Sequence, residues 1–306
     1  MAFQRLRNVG LGSSLVVLSL STGCAAPGGD GATILTQPTS FPIVISQPGS
    51  YRLGANLVVP DANTTAIKVE SRDVTIDLNG FAILGPTVCT GIPVGCTSIG
   101  TGSGITATGN AGTRENVTVR NGTIRGMGTD GVNLSEQSTV SDLRAISNGN
   151  NGIVGNQQSK IVGNVASGNG NRGIVTAARS IVTGNIANEN GIGINMASEG
   201  VVSGNAVSFN KFDGIQCADD CTLTHNTVVG NGFGGALPLG RGIVTNSRST
   251  LIGNTVTNSK GLGLFLVSAD GYVHNVISNN NGGNANPQVS GGIQIGPNVC
   301  GGVVCP

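Results

Sequence analysis

From about residue 130 onward, apolar and polar positions alternate in a long period rather than in the 3.6-residue period of a helix. Gly followed by an aliphatic residue recurs at Gly131, Gly152, Gly173, Gly193, Gly214, Gly242, Gly263 and Gly292, at intervals of 21, 21, 20, 21, 28, 21 and 29 residues. Three apolar columns share that register. One follows the glycine directly (Ile153, Ile174, Ile194, Ile215, Ile243, Leu264), a second lies nine places on (Ile161, Val182, Val202, Leu223, Leu251, Tyr272), and a third fourteen places on (Ala166, Ala187, Val207, Val228, Val256, Ile277). Short Val-, Ile- and Thr-rich segments separated by Gly, Asn and Ser read as three short strands per repeat, with turns between them. A polar column, Asn164, Asn185, Asn205, Asn226, Asn254 and Asn275, stands twelve places after the glycine. Stacked in register, these side chains can bond to one another as an amide ladder. The preceding Gly163, Gly184, Gly204 and Gly253 suggest a bend with positive φ.

Repeats laid one on another at the strand spacing pile each column into a ladder around one continuous apolar core. The predicted fold is therefore all-β, a single right-handed parallel β-helix of three-stranded coils, about ten coils of roughly 21 residues. Upstream segments with period-two alternation, such as Val74–Leu78 and Asn116–Val119, belong to the same solenoid with less regular coils.

The N-terminal stretch changes the picture. Arg5 and Arg7 precede a mostly apolar run from Val9 to Leu20, followed by Ser21-Thr22-Gly23-Cys24. Residues 1–23 read as a signal peptide of lipoprotein type, with Cys24 the lipidated first residue of the mature chain. The small residues ending in Gly-Cys resemble a lipobox, with Ser21 where that motif usually has Leu. Residues 24–42, rich in Gly and Pro, read as a flexible tether, and 43–306 as the β-helix. The expectation is an exported protein, held as a lipoprotein at the bacterial outer membrane or cell surface, or secreted. Its only membrane contact would be the lipid at Cys24.

Export permits disulfides, and the remaining cysteines fall into local pairs: Cys89 with Cys96, Cys217 with Cys221, Cys300 with Cys305. Without a Cys-x-x-Cys spacing and with two His in the whole chain, no metal site is expected. Fifty-one glycines, no Trp and 10% charged residues depart from ordinary enzyme composition. Sixteen Lys plus Arg against 15 Asp plus Glu, with no basic stripe, exclude nucleic acid as a partner. A monomer is expected.

The stretch from Gly49-Ser50-Tyr51-Arg52-Leu53 through Val74-Thr75-Ile76-Asp77-Leu78-Asn79-Gly80-Phe81, followed by Asn-Gly and Gly-Ile repeats, resembles the bacterial right-handed parallel β-helix proteins of the pectin-lyase-like superfold. That resemblance implies binding or modification of a polysaccharide, acidic by preference. An enzyme of this kind would be a lyase, a hydrolase or an epimerase, with calcium a possible cofactor for a lyase and none otherwise. The alternative is a non-catalytic surface or structural module, adhesin-like. Thr129-Asp130-Gly131-Val132 and Asp219-Asp220-Cys221 resemble the carboxylate motifs of polygalacturonases. They stand about four coils apart, however, and the Gly-His-Gly and Arg-x-Lys motifs of that family are missing. Asp219 and Asp220 fall in the polar turn column shared by other coils, which favours a solvated turn closed by Cys217 and Cys221. Asp213 and Arg241, before repeat glycines on adjacent coils, read as an exposed ladder ion pair or as an acid beside a uronate-clamping Arg. His225 and His274 replace column glycines two coils apart, too far to share a metal. The two long intervals place insertions on one edge, carrying Phe233, Leu237 and Leu239 in the first and Asn284, Asn286 and Gln288 in the second, on either side of Lys260. Loops on a rigid scaffold are where ligands usually bind.

Overall fold

A computed structural model describes residues 31–107, 109, 114–234 and 240–305. The expected signal peptide and Cys24 lie outside these residues. The apolar columns of the sequence become the interior walls of a parallel solenoid. Ile153, Ile174, Ile194, Ile215, Ile243 and Leu264 are successive direct partners in neighbouring strands. The second and third columns pair in the same way, as in Ile161 to Val182 to Val202 and Ala166 to Ala187 to Val207. Every one of these side chains is buried, in a single core that runs from Leu35 to Cys305 among the described residues.

The first strand of each coil contributes to an 11-stranded sheet, and the other two to a 22-stranded sheet that bends between them. At that bend the asparagine ladder forms as the spacing predicts. Asn185 donates from its backbone N and its Nδ2 to Asn205 Oδ1 at 2.9 and 3.0 Å, and Asn205 does the same to Asn226 Oδ1 at 3.1 and 2.9 Å. Asn298 closes the series beyond Asn275. Gly163, Gly184, Gly204 and Gly253 before the ladder all have positive φ, and His225 and His274 adopt the same backbone in their place.

A second buried ladder runs five places later through Asn148, Asn169, Asn190, Asn210 and Asn231, at the corner between the third strand and the 11-stranded sheet. The sequence carries it at a constant seventeen places after the repeat glycine.

Two boundaries differ from expectation. Thr33–Leu35 already pairs in parallel with Tyr51–Leu53, so the solenoid begins inside the segment read as tether. At the other end Leu264 pairs with Val289, which puts Gln288 and not Gly292 opposite Gly263. The last Gly-Ile dipeptide is out of register because the second insertion is shorter than that glycine implied.

All three cysteine pairs are bonded. Cys89–Cys96 and Cys300–Cys305 each clamp an antiparallel hairpin, Val88–Thr90 with Gly95–Thr97 and Val299–Cys300 with Val303–Val304. Cys217–Cys221 crosses a turn inside one coil, a sequence separation of 4. Closing so short a loop restricts the unfolded chain modestly. A Cys217→Ser/Cys221→Ser chain should therefore lose about 2 kcal/mol of unfolding free energy. Urea titration with an unchanged m value would register that loss; a shift beyond twice this size would mean that the bridge also holds the coil's packing.

Candidate functional site

The corner between the third strand and the 11-stranded sheet is where the chain departs from its repeat. The first insertion leaves the solenoid after Asn231 and returns at Gly240, whose Cα packs against Gly232 to close the neck. Phe233 stands at the mouth of this loop, half-exposed, while Leu237 and Leu239 lie outside the described residues. The returning segment then lays its backbone over Asp213.

Asp213 accepts hydrogen bonds from five donors at this corner. Its Oδ1 accepts from Gly240 N at 3.0 Å, Arg241 N at 2.8 Å and Arg241 Nε at 3.2 Å; its Oδ2 accepts from Arg241 Nη2 and Gln216 Nε2, both at 2.8 Å. The pairing matches the register of the sequence, but the exposure does not. Asp213 is 0% exposed and the Arg241 side chain only 15%, with the backbone of Gly240 and Arg241 laid over the carboxylate. Burial pushes the Asp213 carboxyl up, yet the hydrogen bonds from Arg241 and Gln216, the Arg241 backbone and its charge outweigh that and hold it below the ordinary carboxylate range. The other face of the Arg241 guanidinium lies 4.8 Å from the centroid of Phe265, one coil on. Together they wall a groove of about 500 Å³ completed by Leu262, Asn281, Pro287 and Ser290. Phe265 projects from the outward column two places after the repeat glycine, which holds no other aromatic among the repeat coils; that exception is the signal that could have found it.

The remaining candidates are spread out. Asp219 accepts from Ser247 Oγ at 2.9 Å, and Asp220 forms an exposed bidentate pair with Arg248 at 2.6 Å, in the turn that leaves the 11-stranded sheet. The Arg248 guanidinium holds the Asp220 carboxyl below its usual range. In the second insertion, Gln288 is buried and caps the second ladder: its Oε1 accepts from Asn280 N at 2.9 Å, and its Nε2 donates to the carbonyls of Asn280, Gly283 and Asn286. Asn284 Oδ1 accepts from the backbone of Asn279, and Asn286 Nδ2 donates to Asn281 O, so these amides fold the loop itself. Lys260 is exposed, its Nζ 5.8 Å above the Phe233 ring. Two further carboxylates are buried, Asp130 of the sequence motif and Asp270, which the sequence did not single out. Asp130 accepts from Asn133, Asn150 and Asn151, and Asp270 from Thr245 Oγ1 and Ser249 N. Among the described residues, no three His, Cys, Asp or Glu side chains converge as metal ligands would. A smaller groove of about 310 Å³ on the outer face of the 11-stranded sheet, beside Asn133, Asn156 and Thr176, is lined without any charged side chain.

Comparison with known proteins bears on the whole solenoid. The family described as right handed beta helix region matches residues 103–282. No curated protein matches the sequence. Among solved structures, the A-module of the Azotobacter vinelandii mannuronan C-5 epimerase AlgE4 is 16% identical, with a TM-score of 0.57 over 84% of this chain and 87% of that one. The A-module of AlgE6 from the same organism is 14% identical, with a TM-score of 0.57 over 90% and 92%. The periplasmic alginate epimerase AlgG is 14% identical, with a TM-score of 0.55 over 86% and 70%. Identities this low establish a shared fold.

Proposed function

The chain belongs to the right-handed β-helix family, and from that footing we propose that it is an extracytoplasmic protein that binds an acidic polysaccharide in the groove beside Arg241. The observation that carries this reading is the Arg241 guanidinium, fixed on one edge by Asp213 and stacked on Phe265 at the wall of an open groove. A planar cation that is already oriented meets a carboxylate at little entropic cost, and the apolar wall excludes water from the pair. The solved proteins that share the fold are named as alginate or mannuronan epimerases, whose polymers carry such carboxylates. Three disulfides fit an oxidising compartment. An export signal in residues 1–23 and a lipid on Cys24 complete the proposal, which would hold the rod at the envelope surface.

Recognition is favoured over turnover, because the carboxylates near the groove or suggested by sequence motifs are already engaged. Asp213 receives five donors, Asp219 a serine, Asp220 an arginine. Isothermal titration of the purified protein with alginate, pectate and their oligomers should show binding that weakens as salt rises. Arg241→Lys and Phe265→Ala should each weaken it about tenfold, the first by losing the planar fork and the second by losing the stack. Unchanged affinity in both variants, or no heat with any uronate, would remove the reading. Following unsaturated products and reducing ends in the same mixtures, with and without calcium, tests turnover directly.

A further inference from the structure

The corner that carries the groove contains a second arrangement that the fold does not need. Sixteen places after the repeat glycine stand Ser147, Gly168, Glu189, Phe209, Gly230, Asn258 and Asn279, all with positive φ. Small and polar residues suit that left-handed backbone, and a phenylalanine does not. Phe209 nevertheless occupies it, at φ 54°, with 43% of its surface exposed. Its ring lies over Gly230 of the next coil, so closely that a Cβ there would stand 2.9 Å from Phe209 Cε1. Phe233, 38% exposed, completes the surface with its ring centroid 5.9 Å away at a 42° tilt.

Charge gathers at the same place. Eighteen places after the repeat glycine the earlier coils have Gly149, Gly170 and Gly191, whereas the coils around the first insertion have Lys211 and Lys260. Lys260 sits over Phe233 and Lys211 over Phe212. Glu189, one coil toward the N terminus, is the carboxylate of the neighbouring column position. The second ladder also lapses here: Ser259 interrupts it, leaving Asn231 Nδ2 and Ser259 Oγ buried without partners, next in the chain to Gly232 and Lys260. Local rules of folding are relaxed where function asks for something else.

We propose that Phe209, Phe233 and Lys260, with Lys211 beside them, form a second subsite that stacks one sugar ring of an acidic polysaccharide and pairs its carboxylate. It rests on the polysaccharide reading above and extends it: the chain of sugars runs round the corner from this platform to the Arg241 groove. An apolar platform takes the C–H face of the ring and the flanking ammonium groups take the charge, so a uronosyl residue fits better than a neutral one. Binding at two linked subsites raises affinity with oligomer length.

The test compares a uronate disaccharide with a hexasaccharide by titration calorimetry on the full mature chain. Wild-type affinity should rise about tenfold or more from the short to the long ligand. Phe209→Asn/Phe233→Ala should lose that rise while binding the disaccharide within about twofold. Lys260→Gln should lose it for the acidic hexamer but not for its carboxyl-reduced counterpart. Phe209→Asn alone should keep or raise Tm, because Asn258 and Asn279 hold the same backbone. If the variants keep the length dependence, or if Phe209→Asn clearly lowers Tm, the platform is part of the packing and the proposal is overturned. Wild-type protein that binds no uronate of any length instead overturns the underlying reading.

Discussion

An Asn205→Ala chain is expected to unfold with about 3 kcal/mol less free energy than the wild type, although only a polar side chain is removed. Asn205 Oδ1 is the acceptor for both Asn185 N and Asn185 Nδ2, and Asn205 Nδ2 donates to Val182 O and Asn226 Oδ1. Truncation leaves the Asn185 backbone N–H buried with no acceptor, a penalty of roughly 1–3 kcal/mol by itself, and forfeits about 1 kcal/mol for each net bond lost. Asn185 Nδ2 still reaches Ile161 O and Thr183 O, which caps the damage. Because each coil rests only on its neighbours, a defect in the middle of the stack should also split one cooperative transition into two. Thr222→Ala, on the exposed face of an adjacent coil, is the control and should stay within about 0.5 kcal/mol. Chemical unfolding followed by circular dichroism reads all of these. An Asn205→Ala chain as stable as Thr222→Ala would mean that the ladder is ornament.

The repeat columns were legible because a solenoid writes its contacts into the sequence at fixed spacing. Residues one coil apart are direct partners, so Ile153, Ile174 and Ile194 announce each other. The same rule located the pairing of Asp213 with Arg241, whereas the disulfides were legible from the closeness of each cysteine pair along the chain. What spacing does not encode is which columns the insertions cover. Asp213 looks exposed from its position, yet the column before the repeat glycine is buried at Asp130 and Asn151 as well, and Gly240 and Arg241 fold back over the carboxylate. Gln288 looked like a loop amide free for ligand, and the register of Val289 makes it the cap of a ladder. Phe209 escaped notice for another reason: its meaning lies in a backbone angle, and the sequence shows a phenylalanine in a turn without showing that the turn is left-handed.

Breaking the Asp213–Arg241 pair from the acid side is expected to be among the most damaging single changes in the molecule. Asp213→Ala removes one acceptor group from five donors and leaves a guanidinium in a place the solvent barely reaches. Losing one member of a buried pair costs about 3–5 kcal/mol. The lower end is expected here, since the partly open groove lets Arg241 turn outward. Affinity for uronates should fall as well, because Arg241 is then no longer held against Phe265. Acid should produce a milder version of the same loss. The folded carboxyl titrates below its unfolded value, so between the two the unfolded chain binds more protons and stability rises with pH. The contribution is complete above the unfolded value of about 4 and disappears as pH falls through the depressed folded one. Asp213→Asn should therefore be less stable than wild type at pH 7, and the gap should narrow steadily as pH drops toward 2. Exposed acids such as Asp220, also shifted downward, titrate in both chains and cancel in the difference. A gap that stays constant with pH would mean that Asp213 is held by hydrogen-bond geometry alone and that its charge contributes nothing.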